Sequence, residues 1–577
     1  MKTRITIFLL AFAFSATSEN KTDSIIPNNL VSRYDIVIDE IMADPTPSAG
    51  LPDCEWIEIR NKTLNEINLQ NWRIGKASAI SGAMRAFVLK PDSCVILCSS
   101  GSVAEMSVYG EVIAVTSFPS LTNSGDLLSL LAPDGRTIHG LNYSDEWYNS
   151  EYKKLGGWSL EMIDLNSPCS GSENWKASNA DIGGSPGKLN SVDAFNIDIV
   201  YPKLMRSFAI DSLHLMLYFN EPLDSLLAAD PSHYSINEEI GNPVIANPIP
   251  PLYDKVLLLL NTPLRRNKIY TVTVNGVADC LLNEIGTYNS TRTGLYEPVD
   301  SFDVVINEIL FNPKPDGIDY VELYNRSKHM LNLKKCSIAN LNSLGQIDNI
   351  TPLCSEDFLL FPDDYIVFTE SPSITKRDFL VKNPDHLIKL SSLPSMNDDE
   401  GHVIILNDQG KIIDQVNYKD DWHFKLIQDA EGIALERINQ HAPSQNEQNW
   451  HSASSSTGYG TPTYKNTQSK TGENYNGTIT VEPSTISPNN DGVNDVLSVH
   501  YQFLDPGNVA NVIIYDALGV AVAKPVHNKL CGTEGTFFWH GLDDNNNKLY
   551  PGIYILCFDI FNIQGKKKQF KKTIVVR

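Results

Sequence analysis

The residues of this chain best suited to chemistry are carboxylates and amides set close together. Asn489, Asp491, Asn494 and Asp495 fall in one short run, Asn489-Asn-Asp-Gly-Val-Asn-Asp495. Ca²⁺ is a hard cation that takes several oxygen ligands, and Asx-rich loops supply them. An EF-hand would close with a Glu where this chain has His500, so the run is not an EF-hand. The same residues also read as an Asx turn entering a strand, with Gly492 supplying positive φ. Ca²⁺ is the only cofactor the sequence suggests.

Other candidates are weaker. Glu40 and Glu58 return as Glu308 and Glu322. Paired carboxylates can act as acid and base. A pair that recurs in two copies reads better as fold-ordering groups that bond turn amides or a neighbouring strand. Gly183-Gly-Ser185-Pro-Gly187 matches G-x-S-x-G. A nucleophile elbow sits between a strand and a helix. Pro186, Gly187 and Asn190 make a loop instead, and the second copy has Thr461 in place of Ser185. The 12 histidines are scattered without an H-E-x-x-H pattern. Trp56, Trp158, Trp175 and Trp450 could stack on sugars, but aromatics at domain-defining positions belong first to a core. These readings point away from an enzyme.

The elements that must position these groups are β-strands. Ile36-Val-Ile38, Trp56-Ile-Glu-Ile59, Val304-Val-Ile306 and Tyr320-Val-Glu-Leu-Tyr324 are short, rich in β-formers and bounded by Pro, Gly, Asn and Asp. In Trp56–Ile59 the alternation suggests one wet face carrying Glu58. No long stretch has helical periodicity. The expected class is all-β, a tandem of Ig-like sandwiches.

The strands belong to a repeat. Asp35-Ile-Val-Ile-Asp-Glu-Ile-Met-Ala-Asp-Pro45 returns as Asp303-Val-Val-Ile-Asn-Glu-Ile-Leu-Phe-Asn-Pro313. Glu55–Asn61 matches Asp319–Asn325, and Ile67-Asn-Leu69 matches Leu331-Asn-Leu333. Gly157–Glu161 matches Gly432–Glu436, Asn174-Trp175 matches Asn449-Trp450, and Gly184-Ser-Pro186 matches Gly460-Thr-Pro462. Two copies of one domain are expected, at 34–193 and 301–467. Between them, 194–300 carries strand patterns such as Leu213–Phe219, Lys255–Leu260 and Tyr270–Val274. Residues 468–477 read as a linker and 478–577 as a fourth β-module.

Composition limits partners and compartment. The chain has 577 residues, a net charge of −23 and 42% hydrophobic residues. That charge opposes phosphate contacts, so nucleic acid is disfavoured. Lys2 and Arg4 precede an apolar run, Ile5–Ala16, and small residues follow. This is the layout of a cleaved secretory signal over 1–18, with a linker at 19–33. No apolar run after it is long enough to span a bilayer. The nine cysteines, at 54, 94, 98, 169, 280, 336, 354, 531 and 557, contain no C-x-x-C pair. Cys54 with Cys169, or Cys336 with Cys354, are pairings that an oxidising compartment would allow.

Ile38-Asp-Glu-Ile41 with Glu55-Trp-Ile-Glu58, Ile306-Asn-Glu-Ile309 with Tyr320-Val-Glu-Leu323, and the Asn-Trp and Gly-Ser/Thr-Pro endings resemble the lamin tail domain. That domain is an Ig-like sandwich found in nuclear lamins and in exported bacterial proteins. Leu217-Tyr-Phe-Asn-Glu-Pro-Leu-Asp224, Tyr270–Val274 and Gly276-Val-Ala-Asp279 look like an Ig-like domain of surface-layer-type proteins. Ser487–Val496, Ile514–Gly519, Trp539-His-Gly541, Pro551–Tyr554 and the basic end Lys571–Arg577 are similar to FlgD-type, C-terminal sorting modules of Bacteroidetes exported proteins. His540 departs from that pattern, where Asp is usual. The resemblance implies export by a type IX system to the outer face of the outer membrane. The expected function is then an adhesion-type surface protein that binds a cell-surface protein or glycan. A carbohydrate-binding accessory protein is the alternative, followed by an extracellular hydrolase.

Overall fold

The computed structural model describes residues 25–470 and 477–577. The expected signal segment lies outside the described residues, as does most of the expected linker at 468–477. Strands and loops dominate, and among the described residues the longest α-helix, Pro372–Asp378, has 7 residues. The chain is all-β, a tandem of Ig-like sandwiches. The described residues divide into two units, 25–206 with 216–261 and 272–291, and 207–215 with 262–271, 292–470 and 477–577.

In the first unit, Ile36–Met42 and Trp56–Asn61 are the central strands of a six-stranded sheet. The sheet runs Trp175–Ala177, Leu160–Met162, Ile36–Met42, Trp56–Asn61, Cys94–Cys98, Val112–Ala114. A four-stranded sheet, Thr137–Ser144, Gly125–Leu131, Arg73–Lys76, Ala79–Ile80, forms with it a core that contains Ile38, Ile59, Trp72, Leu128 and Ile138. Ile25–Ile26 pairs in parallel with Glu66–Ile67, so chain ahead of residue 34 also joins the fold.

Every residue of Ile36–Met42 and of Trp56–Asn61 is buried. A strand buried on both faces loses the alternation of a half-wet strand. This corrects the expectation of a wet face at Glu58, which is 0% exposed. One face meets the main core. The other is covered by a second apolar cluster, Met42, Leu51, Trp56, Ile96, Cys98 and Met106, and by the loop that follows Ala177. By contrast, Lys255–Leu259 alternates cleanly between buried and half-buried positions.

In the second unit the same plan recurs. Val304–Leu310 and Tyr320–Asn325 are central in a six-stranded sheet, with Leu435–Arg437 and Trp450–Ser452 on one side and Tyr365–Thr369 and Leu387–Lys389 on the other. A four-stranded sheet faces it, and Tyr296–Glu297 pairs in parallel with Met330–Leu331 as Ile25–Ile26 does in the first copy. The C-terminal module has a three-stranded and a five-stranded sheet, the latter built on Asn508–Tyr515, Gly552–Phe561 and Lys567–Val576.

The disulfide joins Cys169 to Cys280, with Cα atoms 6.2 Å apart. Cys169 is therefore not bonded to Cys54, and Cys336 is not in a disulfide with Cys354, so neither expected pairing holds. The bonded partners lie 111 residues apart, in modules that the sequence read separately.

Candidate functional site

The duplicated carboxylates come together as a row across three adjacent strands. In the first copy the register sets Glu161 opposite Glu40, and Glu40 opposite Glu58. In the second it sets Glu436 opposite Glu308, and Glu308 opposite Glu322. A β-bulge just before Glu40 and before Glu308 places them in that register. All six are buried. Like charges directly opposite one another destabilise a sheet, and buried carboxylates resist ionisation. Burial, then Glu58, pushes Glu40 well above the usual carboxylate range. Burial, then Asp39, raises Glu58 to about 8. Burial, then Glu308, raises Glu436 to about 8. Burial, then Glu308, lifts Glu322 well above that range. Glu40 Oε2 has no hydrogen-bond partner, as suits a carboxyl that keeps its proton.

What the row does is hold a strap. In the first copy the strap is the loop containing Gly184, Ser185 and Gly187, the segment that matched G-x-S-x-G. Ser185 N–H donates to Glu40 Oε1 at 2.7 Å, and Ser185 Oγ donates to Glu161 Oε1 at 2.7 Å. Gly187 N–H donates to Glu58 Oε2 at 2.5 Å. Ser191 Oγ and Val192 N–H donate to Glu161 Oε2 at 2.7 and 3.1 Å. The second copy repeats each bond. Thr461 N–H goes to Glu308 Oε1 at 2.9 Å, Thr463 N–H to Glu322 Oε2 at 2.6 Å, and Thr461 Oγ1 to Glu436 Oε1 at 3.0 Å. Thr467 Oγ1 and Gln468 N–H reach Glu436 Oε2, each at 2.8 Å. Asn190 and Asn466 finish the strap. Each donates its amide to two backbone carbonyls, those of Asp39 and Met162, and those of Asn307 and Arg437. A Cβ on Gly184 would stand 2.8 Å from Leu51 Cδ1, 2.9 Å from Glu40 Oε1 and 3.0 Å from Ser159 Oγ, so a side chain there would push these groups aside.

Ser185 is therefore a strap residue rather than a nucleophile at a strand-to-helix turn. The sequence singled out Glu40, Glu58, Glu308, Glu322 and the Gly-Ser/Thr-Pro block, and marked Glu161 and Glu436 only as the ends of a repeated block. It gave Asn190 only as a loop residue and passed over Ser191, Asn466 and Thr467, whose signal was the equal offset between the copies beyond the last matching block. Trp56, Trp175 and Trp450 are buried, and Trp158 is half-buried under Lys153, whose Nζ lies 4.5 Å from the ring centroid.

Asn489, Asp491, Asn494 and Asp495 share one exposed turn. Asp495 Oδ1 accepts the N–H groups of Asn489 and Asn490, and Oδ2 accepts that of Gly492 at 2.7 Å. Asp491 Oδ1 accepts Val493 N–H at 2.8 Å. Gly492 has φ 84°.

Two further acidic groupings were not read from the sequence. Asp198, Glu221 and Asp279 bring carboxylate oxygens within 4.8 Å of one another, a set that could face one cation. Burial, then Asp198 and Asp279, raises Glu221 to about 8. Asp279 already accepts Leu281 N–H, Asn283 N–H and Asn283 Nδ2, and Asp198 accepts Ser170 Oγ. In the second unit a cleft of about 440 Å³ is lined by Asp319, Asn349, Glu370, Ser395 and Met396. Burial, then Asp398 and Glu370, raises Asp319 to about 7.

The Lamin Tail Domain model matches residues 32–145 and 299–420, and the CHU_C Type IX secretion signal domain model matches 479–576. The chain carries two lamin tail domains and a type IX secretion signal domain. It is an exported, modular protein of the cell surface. Among the described residues no helix is long and apolar enough to cross a membrane. No curated protein matches. Solved structures that resemble it include the N-terminal part of the bacterial S-layer protein SbsC, at 18% identity over 29% of this chain and 45% of that one, TM-score 0.16. A longer SbsC structure aligns at 12% identity over 66% of this chain and 54% of that one, TM-score 0.16. A DUF4876 family protein from Bacteroides thetaiotaomicron aligns at 12% over 40% and 86%, TM-score 0.17. The chain thus spans about half the length of the S-layer structures it matches, and similarity at these TM-scores says nothing of what it does.

Proposed function

We propose that this is an adhesion-type structural protein whose lamin tail sandwiches engage a cell-surface protein or glycan, while the last module engages the outer-membrane secretion machinery. The observation that carries the reading is the strap. The duplicated carboxylates, the best acid–base candidates in the sequence, are buried and bonded to loop amides and hydroxyls in both copies. They serve the fold rather than a substrate. A protein partner also has a surface to meet. In the first unit the segment 193–203, which leads out of the first lamin tail domain, turns Phe195, Ile197, Ile199 and Tyr201 outward, at 83%, 66%, 77% and 53% exposure. An exposed row of apolar side chains at alternate positions suits the apolar surface of a protein partner.

The test is cell fractionation with protease shaving, comparing the full chain with one truncated before Gly477, together with binding of the shaved and unshaved cells to a host or neighbour surface. The reading expects surface exposure and binding for the full chain and periplasmic build-up of the truncated one. Surface delivery of the truncated chain would remove the sorting role from the last module. Delivery without binding would remove the adhesive role.

A hydrolase reading has one observation in its favour, the cleft with Asp319 raised to about 7. Glu370 Oε1 there is already committed to Leu393 N–H at 2.7 Å, which weakens it as a partner acid. For the turn at 489–495 we favour the structural role, since its carboxylates serve backbone amides. A rise in Tm of the last module by several degrees with about 1 mM Ca²⁺ would return it to a calcium site.

A further inference from the structure

We propose that the second lamin tail domain is the dedicated seat of the type IX secretion signal domain, and that the two remain joined without the covalent link between them. Two layers of contact lead to this.

The first is polar and buried. Thr533 N–H donates to Thr467 O at 2.7 Å, and Thr533 Oγ1 donates to Ser469 O at 2.9 Å. Ser454 Oγ and Ser455 Oγ both donate to Leu530 O, at 3.1 and 3.0 Å. Gln468, fully buried, donates Nε2 to Ser452 O at 3.0 Å and Cys531 O at 3.3 Å, and its Oε1 accepts Gly507 N–H at 3.2 Å. One amide side chain thus ties the strap, a strand of the lamin tail domain and two segments of the signal domain. A buried network whose members are all bonded specifies its partner, because any other arrangement leaves polar groups unpaired.

The second layer is apolar. Phe424 of the lamin tail domain is buried with Val509 and Leu530 of the signal domain, and Ile427 and Phe561 pack against them. The fit is close. A Cβ on Gly532 would stand 2.5 Å from Thr467 O.

The seat belongs to one copy. Thr467 and Gln468 are also the residues that Glu436 Oε2 holds, so the glutamate row positions the seat. The first copy has Val192 where the second has Gln468, and valine cannot make the three bonds of that amide. With this face covered, the part of the signal domain left to the secretion machinery includes the final strand, Lys567–Val576, with Lys567, Lys568, Lys571 and Lys572 exposed.

The experiment replaces residues 471–476 of the full chain with a specific protease site, cuts the purified protein to completion, and follows both pieces by size-exclusion chromatography. Co-elution of the pieces at about 1 μM is expected. Gln468→Ala with Phe424→Ala should weaken retention at least about tenfold. Ser454→Ala with Ser455→Ala is the milder pair and should show a smaller loss. Far-UV circular dichroism of each uncut variant confirms folding. Release of the signal domain from the cut wild-type chain would overturn the proposal, and so would equal retention in folded wild type and in the Gln468→Ala, Phe424→Ala variant.

Discussion

Replacing Thr461 by valine removes one hydroxyl from the centre of the second glutamate row and little else. The Thr461 side chain is 0% exposed, and its Oγ1 lies 2.5 Å from Glu308 Oε2 and 3.0 Å from Glu436 Oε1. Valine nearly matches threonine in shape, so no cavity opens. Two buried carboxyl oxygens then lose their shared partner. A neutral hydrogen bond contributes about 0.5–1.5 kcal/mol, and an orphaned buried acceptor costs about 1–3 kcal/mol, so the loss should be about 2–4 kcal/mol. For a module of this size that lowers Tm by roughly 5–15 °C. Thr461→Ser keeps the hydroxyl and should lose well under half as much.

The pH dependence gives the sharper test. Glu436 is raised from 4.5 to about 8, so the folded module binds its proton more tightly than the unfolded chain does. The stabilisation from that proton is fully present below 4.5 and is lost as pH rises through about 8, over a range on the order of 5 kcal/mol. The Thr461 hydroxyl bond holds Glu308 lower than burial alone would, so valine raises Glu308 further. The deficit of the variant should therefore grow from acidic to mildly basic pH. Differential scanning calorimetry of the full chain at several pH values reads both effects. A deficit that is the same at acidic and basic pH, or below about 0.5 kcal/mol throughout, would refute the assignment of the row as a proton-holding tether.

Three further outcomes are expected. Arg437→Met leaves Asp414 buried without its cation, a pair at 3.1 Å with both side chains essentially unexposed, and should cost about 3–5 kcal/mol by thermal melting. Adding Asp414→Asn should recover part of that loss, and an additive double mutant would show that the two do not interact. Cys280→Ser opens the link between positions 111 residues apart and should cost roughly 2–5 kcal/mol, matched by treating the wild type with reductant. Ile197→Asp with Ile199→Asp, both on exposed positions, should abolish surface binding while leaving Tm within about 1 °C; binding that survives would move the partner surface elsewhere.

The repeat made much of the fold legible, because blocks in constant order mark the strands and their boundaries. It also marked each glutamate, but not the row they form. A row needs register across strands distant in sequence, and the bulge at Ile38/Glu40 shifts that register by one residue in a way that periodicity does not reveal. The same limit produced the wet-face reading of Glu58. Alternation reports which residues share a face, not what lies over that face, and here the cover is Gly187, 129 residues away. Cys280 eluded pairing because its partner belongs to another module.

The differences between the copies show why the tether persists while its neighbours vary. In both, the backbone N–H just before the bulge needs a buried acceptor. His139 Nδ1 accepts it from Ile38 at 2.8 Å, and Asp414 Oδ2 accepts it from Ile306 at 2.9 Å. Burial lowers His139 to about 3, so it serves as a neutral acceptor and demands no counter-ion. Asp414 is a carboxylate, and the second copy supplies Arg437 where the first has Met162. Burial pushes Arg437 down to about 10 and raises Asp414, so desolvation outweighs their attraction in both partners. Inside the bulge the exchange runs the other way. Asp39 pairs with Arg60 at 2.6 Å in the first copy, whereas Asn307 and Tyr324 hold those positions in the second. Each copy thus buries one arginine against one aspartate at a different place around the same three glutamates. The positions that do not change are those bonded to the strap, which ties the tether to the strap rather than to any particular buried charge.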